Sequence, residues 1–198
     1  KDLPKMAEHY EAAVKVDPSD VEAATGAAYS AMLKGDFDAA DAYLAAVQDQ
    51  AGSKKSDILL RRSIIAIRKL DFEKAKEYAL SSETDMGKLF AAEFNMIDDE
   101  NEVAINLLEE INDSDLQKLK NEYLRYLRND NIQLTTIAAS QAMWAMGEKK
   151  IALSSIEKSL VNVDFPEKDS LILVWAGRAL SIGSSDKANN LINATSDK

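Results

Sequence analysis

The residue types able to do chemistry are few in this chain, and their spacing argues against an active site. His9 is the only histidine, and there is no cysteine. A histidine zinc site needs a second ligand at helical spacing, and nucleophilic catalysis needs a partnered base; neither accompanies His9. The run Asp98, Asp99, Glu100 and Glu102 supplies carboxylates but lacks the alternating ligands and central glycine of a twelve-residue calcium loop. It reads as a hairpin turn whose acids favour the N-terminus of the next helix. Glu109 and Glu110 are adjacent, so on a helix they point apart, which is poor geometry for paired acid and base work. No glycine-rich phosphate loop, Gly-x-Ser-x-Gly elbow or His-Glu-x-x-His helix occurs. The residues predict no enzyme, no metal and no cofactor.

Other groupings suggest binding rather than catalysis. The stretch from Tyr123 to Arg128 interleaves aromatics with arginines, the ingredients of a nucleic-acid surface. Its tyrosines share a helical face with Leu116 and Leu119, so packing accounts for them. The formal net charge of −10 disfavours nucleic acid and anionic lipid over most of the surface. Arg61, Arg62, Arg68 and Lys69 form a basic cluster that reads as a solvated helix face, with an acidic partner as the alternative. Asn112-Asp113-Ser114 and Asn193-Ala194-Thr195 match a glycosylation acceptor and are assigned no role.

The elements that would position these residues are helices. Five times a small residue is followed twelve positions later by alanine: Ala28 and Ala40, Ser63 and Ala75, Ala92 and Ala104, Ser140 and Ala152, Ala176 and Ala188. Midway between each pair the chain turns polar or contains glycine, as in Lys34-Gly35-Asp36 and Gly183-Ser184-Ser185. Residues equidistant from a turn face each other across antiparallel helices, and small ones let the axes approach to about 8–10 Å. Three prolines and seven glycines in 198 residues are few for a β protein, while 46% hydrophobic content is ample to bury. The expected class is all-α, with about 12 helices. No stretch approaches the ~20 apolar residues needed to span a bilayer. The lack of cysteine fits cytoplasm and periplasm equally, so the compartment stays open. The chain opens on Lys1, and Leu3 to Val16 reads as a second helix without its first, stopped by Asp17-Pro18; we expect a piece of a longer protein.

The segment Met6 to Pro18, with Tyr10, Ala13 and then Asp17-Pro18, resembles the closing helix of a tetratricopeptide repeat. The next unit, 21–54, has that family's period of about 34 residues, with Ala28, Gly35-Asp36-Phe37, Ala40 and Leu44 at the places the family gives to small, turn and apolar residues. Units 56–84 and 85–112 repeat the scheme in degenerate form, the first with Arg62 where the family usually has leucine. Units 133–166 and 169–196 follow, and 3–18 is a half repeat. Ala75 and Ala104 stand only 29 residues apart, which predicts a short second helix in the former unit. Ala104 and Ala152 stand 48 apart, which leaves room for an extra helix within 113–131, capped by Asp113 or Ser114 and followed by a loop at Asn129-Asp130-Asn131. We expect that helix to be a joint between a three-hairpin N-terminal block and a two-hairpin C-terminal block, with a degenerate half-repeat as the alternative.

The resemblance implies a right-handed α-α superhelix, a solenoid whose first helices line a concave groove for a peptide or helix of a partner protein. By helical phase from the small residues, the groove residues are Tyr29, Met32, Leu60, Ile64, Ile67, Arg68, Leu89, Glu93, Met96, Ile137, Gln141 and Trp144, with Thr25, Leu33, Leu173 and Leu180 in the same phases. The lysines, arginines and asparagines with which some members of the family hold a C-terminal carboxylate are replaced here by Thr25, Tyr29, Leu60 and Ile64. The stripe is apolar enough to mark either an interaction site or core. The expected function is a non-catalytic adaptor for another protein. The alternatives are self-association or intramolecular packing, including a homodimer, or a regulatory domain of an enzyme whose catalytic part lies elsewhere.

Overall fold

The computed structural model describes residues 3–129, 132–161, 165 and 168–194. Among them are twelve α-helices and no strand. In order they are α1 (Leu3–Val16), α2 (Val21–Lys34), α3 (Phe37–Val47), α4 (Lys55–Arg68), α5 (Phe72–Ser81), α6 (Asp85–Ile97), α7 (Asn101–Glu109), α8 (Gln117–Leu127), α9 (Ile132–Ala145), α10 (Lys149–Val161), α11 (Lys168–Ser181) and α12 (Ser185–Asn193). Asp130, Asn131 and Thr195, named above for a loop and an acceptor triplet, lie outside the described residues.

Five helix pairs are joined by the same turn. Its hinge is a residue of positive φ, namely Gly35, Leu70, Asp99, Gly147 and Gly183. The N–H that follows donates to the carbonyl five residues back: Asp36 to Ala31, Asp71 to Ala66, Glu100 to Asn95, Glu148 to Met143 and Ser184 to Ala179, all at 2.8–2.9 Å. This is the Schellman closure, which satisfies the last carbonyls of one helix before the next begins. Asp36 and Asp71 then cap α3 and α5 by accepting from the N–H groups of Ala39 and Lys74. Connections this short force antiparallel neighbours, and α9 with α10, α2 with α3, α4 with α5, α1 with α2 and α11 with α12 are the closest-packed pairs of successive helices.

The small-residue pairs do what their spacing predicts. All ten of their members are at most 3% exposed. Ser63 donates its hydroxyl across the hairpin to the Ala75 carbonyl at 2.8 Å, so that pair is in direct contact.

The chain forms two compact units, Lys1–Ala91 and Ala92–Lys198. In the first, the core is built from Ala24, Ala28, Leu44, Val47, Ile58 and Ile65, with Val14, Met32 and Tyr43 packed against it. α5 is ten residues long, and α7 and α12 have nine each, so the alanine spacing does not mark α5 out as short. In the second, Met96, Leu108, Ile111, Tyr123, Ile137, Leu153, Ile156, Leu160 and Trp175 are the largest fully buried side chains among the described residues. α8 is the expected extra helix, but it starts at Gln117, and Asp113 accepts from the Asp115 N–H in a turn ahead of it rather than capping it. The division between units falls inside α6, not at α8 where the sequence suggested a joint. α8 packs against both α7 and α9, burying Tyr123, Leu124, Tyr126 and Leu127, and lies within the second unit.

Candidate functional site

Helical phase sorts the expected groove residues by their distance from the small residue of each first helix. One position after it stand Tyr29, Ile64, Glu93, Gln141 and Gly177; four after it, Met32, Ile67, Met96, Trp144 and Leu180; three before it, Thr25, Leu60, Leu89, Ile137 and Leu173. On α2, Tyr29 is exposed and Met32 and Thr25 are half-buried. On α4, Leu60, Ile64 and Ile67 are half-buried and Arg68 is exposed. Leu89, Glu93, Met96 and Ile137 are buried, so a partner reaches none of them; on α6 this phase is core rather than groove. Gln141 and Trp144 are half-buried, while Leu173, Gly177 and Leu180 are exposed.

In the first unit, Tyr29 lines a cleft of about 500 Å³ with residues of α1, α2 and α4. Its floor starts from Gly26. A Cβ built there would lie 2.5 Å from the Tyr10 ring, so the absence of a side chain lets Tyr10 of α1 seat directly on α2. Met6, Thr25 and Ile58 continue the apolar lining. Glu22, Lys54 and the Asp57–Arg61 ion pair, at 2.8 Å, stand at the polar margin. A wall of one exposed tyrosine and several apolar side chains with a sparse polar margin suits a large apolar side chain of a ligand.

The basic cluster nearby is largely neutralised. Arg62 is a structural hub: it donates to both Asp41 oxygens at 2.7 and 3.2 Å, to Gln48 at 2.7 Å and to the Tyr78 hydroxyl at 2.7 Å, and its guanidinium lies 4.3 Å from the Tyr78 ring centre. Burial pulls its pKa down, but the Asp41 hydrogen bond and charge outweigh this and hold it above the usual range. Arg61 pairs with Asp57 and Lys69 with Asp38. Among the described residues, Arg68 alone of the four has no such partner.

The second unit holds a polar and aromatic cluster that was not legible in the sequence. Tyr123 of α8 donates to Glu93 of α6 at 2.8 Å, and both are buried. Burial, partly offset by that hydrogen bond, pushes the Glu93 carboxyl up to about 8; burial raises the Tyr123 hydroxyl as well. Glu93 is therefore a neutral acid at pH 7. A perturbed carboxyl is a common mark of catalysis, but this one is only 2% exposed. Gln141 donates to Glu122 at 3.0 Å. Trp144 and Trp175 meet edge to face with centres 5.6 Å apart, and the Arg178 guanidinium lies 4.5 Å from the centre of Trp175 and 5.3 Å from that of Trp144.

Among the described residues, four buried side-chain polar atoms make no hydrogen bond, all on α6, α9 and α11: Glu93 Oε2, Gln141 Oε1, Trp175 Nε1 and Arg178 Nη1. Arg178 was missed because a lone arginine in an apolar helix looks like an ordinary surface residue; the tryptophan one turn before it was the available signal. Tyr123 and Tyr126, buried, offer no stacking surface to bases. His9 is exposed. Among the described residues no three acidic, histidine or cysteine side chains cluster to hold a metal, and no helix is long and apolar enough to cross a membrane. The chain matches no protein-family model and no curated protein sequence.

Proposed function

We propose that the chain is a non-catalytic binding scaffold of tetratricopeptide-like hairpins, stacked as a right-handed superhelix, which receives a peptide or helix of another protein on its first helices. The observation that carries this reading is the cleft at Tyr29. It is open and largely apolar, and it lies on the helix phase where the family resemblance puts a ligand. The five identical turns and the buried small-residue pairs support a repeating unit as its frame. An incoming apolar anchor would cover Tyr29, Met6 and Ile58, while Glu22 and Lys54 would steer its approach.

Capture of partners from a lysate of the source cells tests this, with wild type and Tyr29→Glu compared side by side. Tyr29 is 48% exposed, so the charge does not enter the core and the melting temperature should hold. The variant should lose proteins that the wild type retains. If a folded Tyr29→Glu chain retains every one of them, the cleft is not the binding site.

A further inference from the structure

Six of the seven glycines have a reason inside the chain. Gly35, Gly52, Gly147 and Gly183 adopt positive φ, Gly26 makes room for Tyr10, and Gly87 lies against Ser82 and the Ala79 carbonyl. Gly177 has neither reason. It sits mid-helix in α11, where glycine is a poor helix former, and a Cβ built on it would meet nothing within 4 Å among the described residues. On the same face stand Leu173, Val174 and Leu180, exposed to 63%, 51% and 57%. A row of large apolar residues with a notch at its centre lets a second helix approach closely.

Arg178 borders this row. Its Nη1 is buried without a hydrogen bond, and the guanidinium stacks on two indoles but pairs with no carboxylate among the described residues. Lys149, whose Nζ lies 5.6 Å from the centre of Trp144, makes no ion pair among them either. Glu122 acts on Arg178 through space but does not bond it, so among the described residues the guanidinium has no directly paired carboxylate in a chain with an excess of ten negative charges. A partly desolvated guanidinium gains most from a carboxylate that arrives already ordered. Pairing of α11 with its own copy across a two-fold axis at Gly177 would instead bring two such guanidiniums near each other.

We propose that the outward face of α11 is a docking strip for an amphipathic helix of a partner protein, which crosses at Gly177 and sets an acidic side chain on Arg178. The strip rests on the reading that first helices receive the ligand, since Leu173, Gly177 and Leu180 occupy the groove phases, but it does not depend on the Tyr29 cleft.

The test uses the full chain and two labelled helical peptides of about 18 residues, long enough to span α11. Both carry a leucine and alanine face; one bears a glutamate beside it and the other a lysine at the same place. Fluorescence anisotropy measures binding, and Trp144 and Trp175, the only tryptophans, report on Arg178. Wild type should bind the glutamate peptide about tenfold more tightly than the lysine peptide. Gly177→Leu, which fills the notch but meets open space, should weaken binding about tenfold without lowering the melting temperature. Arg178→Glu should reverse the charge preference, and Arg178→Gln, the milder change, should abolish it. Tyr29→Ala should leave binding as it is, which separates this strip from the cleft. The proposal is overturned by equal binding of the two peptides, by no binding at millimolar concentration, or by an unaffected Gly177→Leu. It is overturned too by a wild-type dimer in sedimentation that Gly177→Leu dissociates, since the strip would then serve a second copy.

Discussion

Replacing Glu93 with glutamine should remove a pH dependence that the wild-type fold carries. Burial lifts the folded-state pKa of Glu93 from 4.5 to about 8, so the folded chain keeps a proton that the unfolded chain releases above about pH 4.5. The stability tied to that proton is complete below pH 4.5, declines as pH rises, and is gone above about 8. Each pH unit in that window is worth about 1.4 kcal/mol, so between pH 5 and 8 wild type should lose about 4 kcal/mol that Glu93→Gln keeps. Glutamine preserves the shape and can still accept from the Tyr123 hydroxyl. Urea unfolding followed by tryptophan fluorescence is the suitable assay, because both tryptophans lie in the same unit as Glu93. With a urea dependence of about 2 kcal/mol per molar, the midpoint difference between the two proteins should change by about 2 M across the range. Parallel pH profiles for wild type and variant would refute the argument, since they would mean that Glu93 is ionised in the folded state or equally solvated in both states.

Three further outcomes follow from the packing. Arg62→Ala should cost about 3 kcal/mol in urea unfolding read by circular dichroism, because it strands Asp41, Gln48 and Tyr78 at once; a loss under about 1 kcal/mol would make the hub a surface pair. Leu70→Gly should stabilise by about 1 kcal/mol, since leucine holds φ 60 in a turn whose counterparts are mostly glycine; an unchanged melting temperature would show that the turn is not strained. Gly87→Ala should destabilise by about 2 kcal/mol, its Cβ falling 2.4 Å from the Ala79 carbonyl oxygen, whereas Gly177→Ala should raise stability by up to about 1 kcal/mol. Thermal melts of the two alanine variants that move in the same direction would contradict this.

The sequence by itself determined the helices and their pairing. A small residue, a polar turn and an alanine at fixed spacing are local signals, and the Schellman turn they announce uses only residues within one helix end and its successor. Degenerate copies still carried the signal, as Leu70 and Asp99 show by adopting the hinge without being glycine. Burial of the first-helix stripe was decided only by tertiary structure. One and the same phase is exposed at Tyr29, half-buried at Ile64 and buried at Glu93, because exposure depends on what the other helices cover. The Glu93–Tyr123 bond spans thirty residues, and Arg62 draws its partners from three segments. Periodicity shows which side of a helix a residue takes; it does not show whether that side meets another helix or water. Gly177 is the sharpest case, since an isolated glycine in a helical pattern shows its meaning only once its neighbours among the described residues are known.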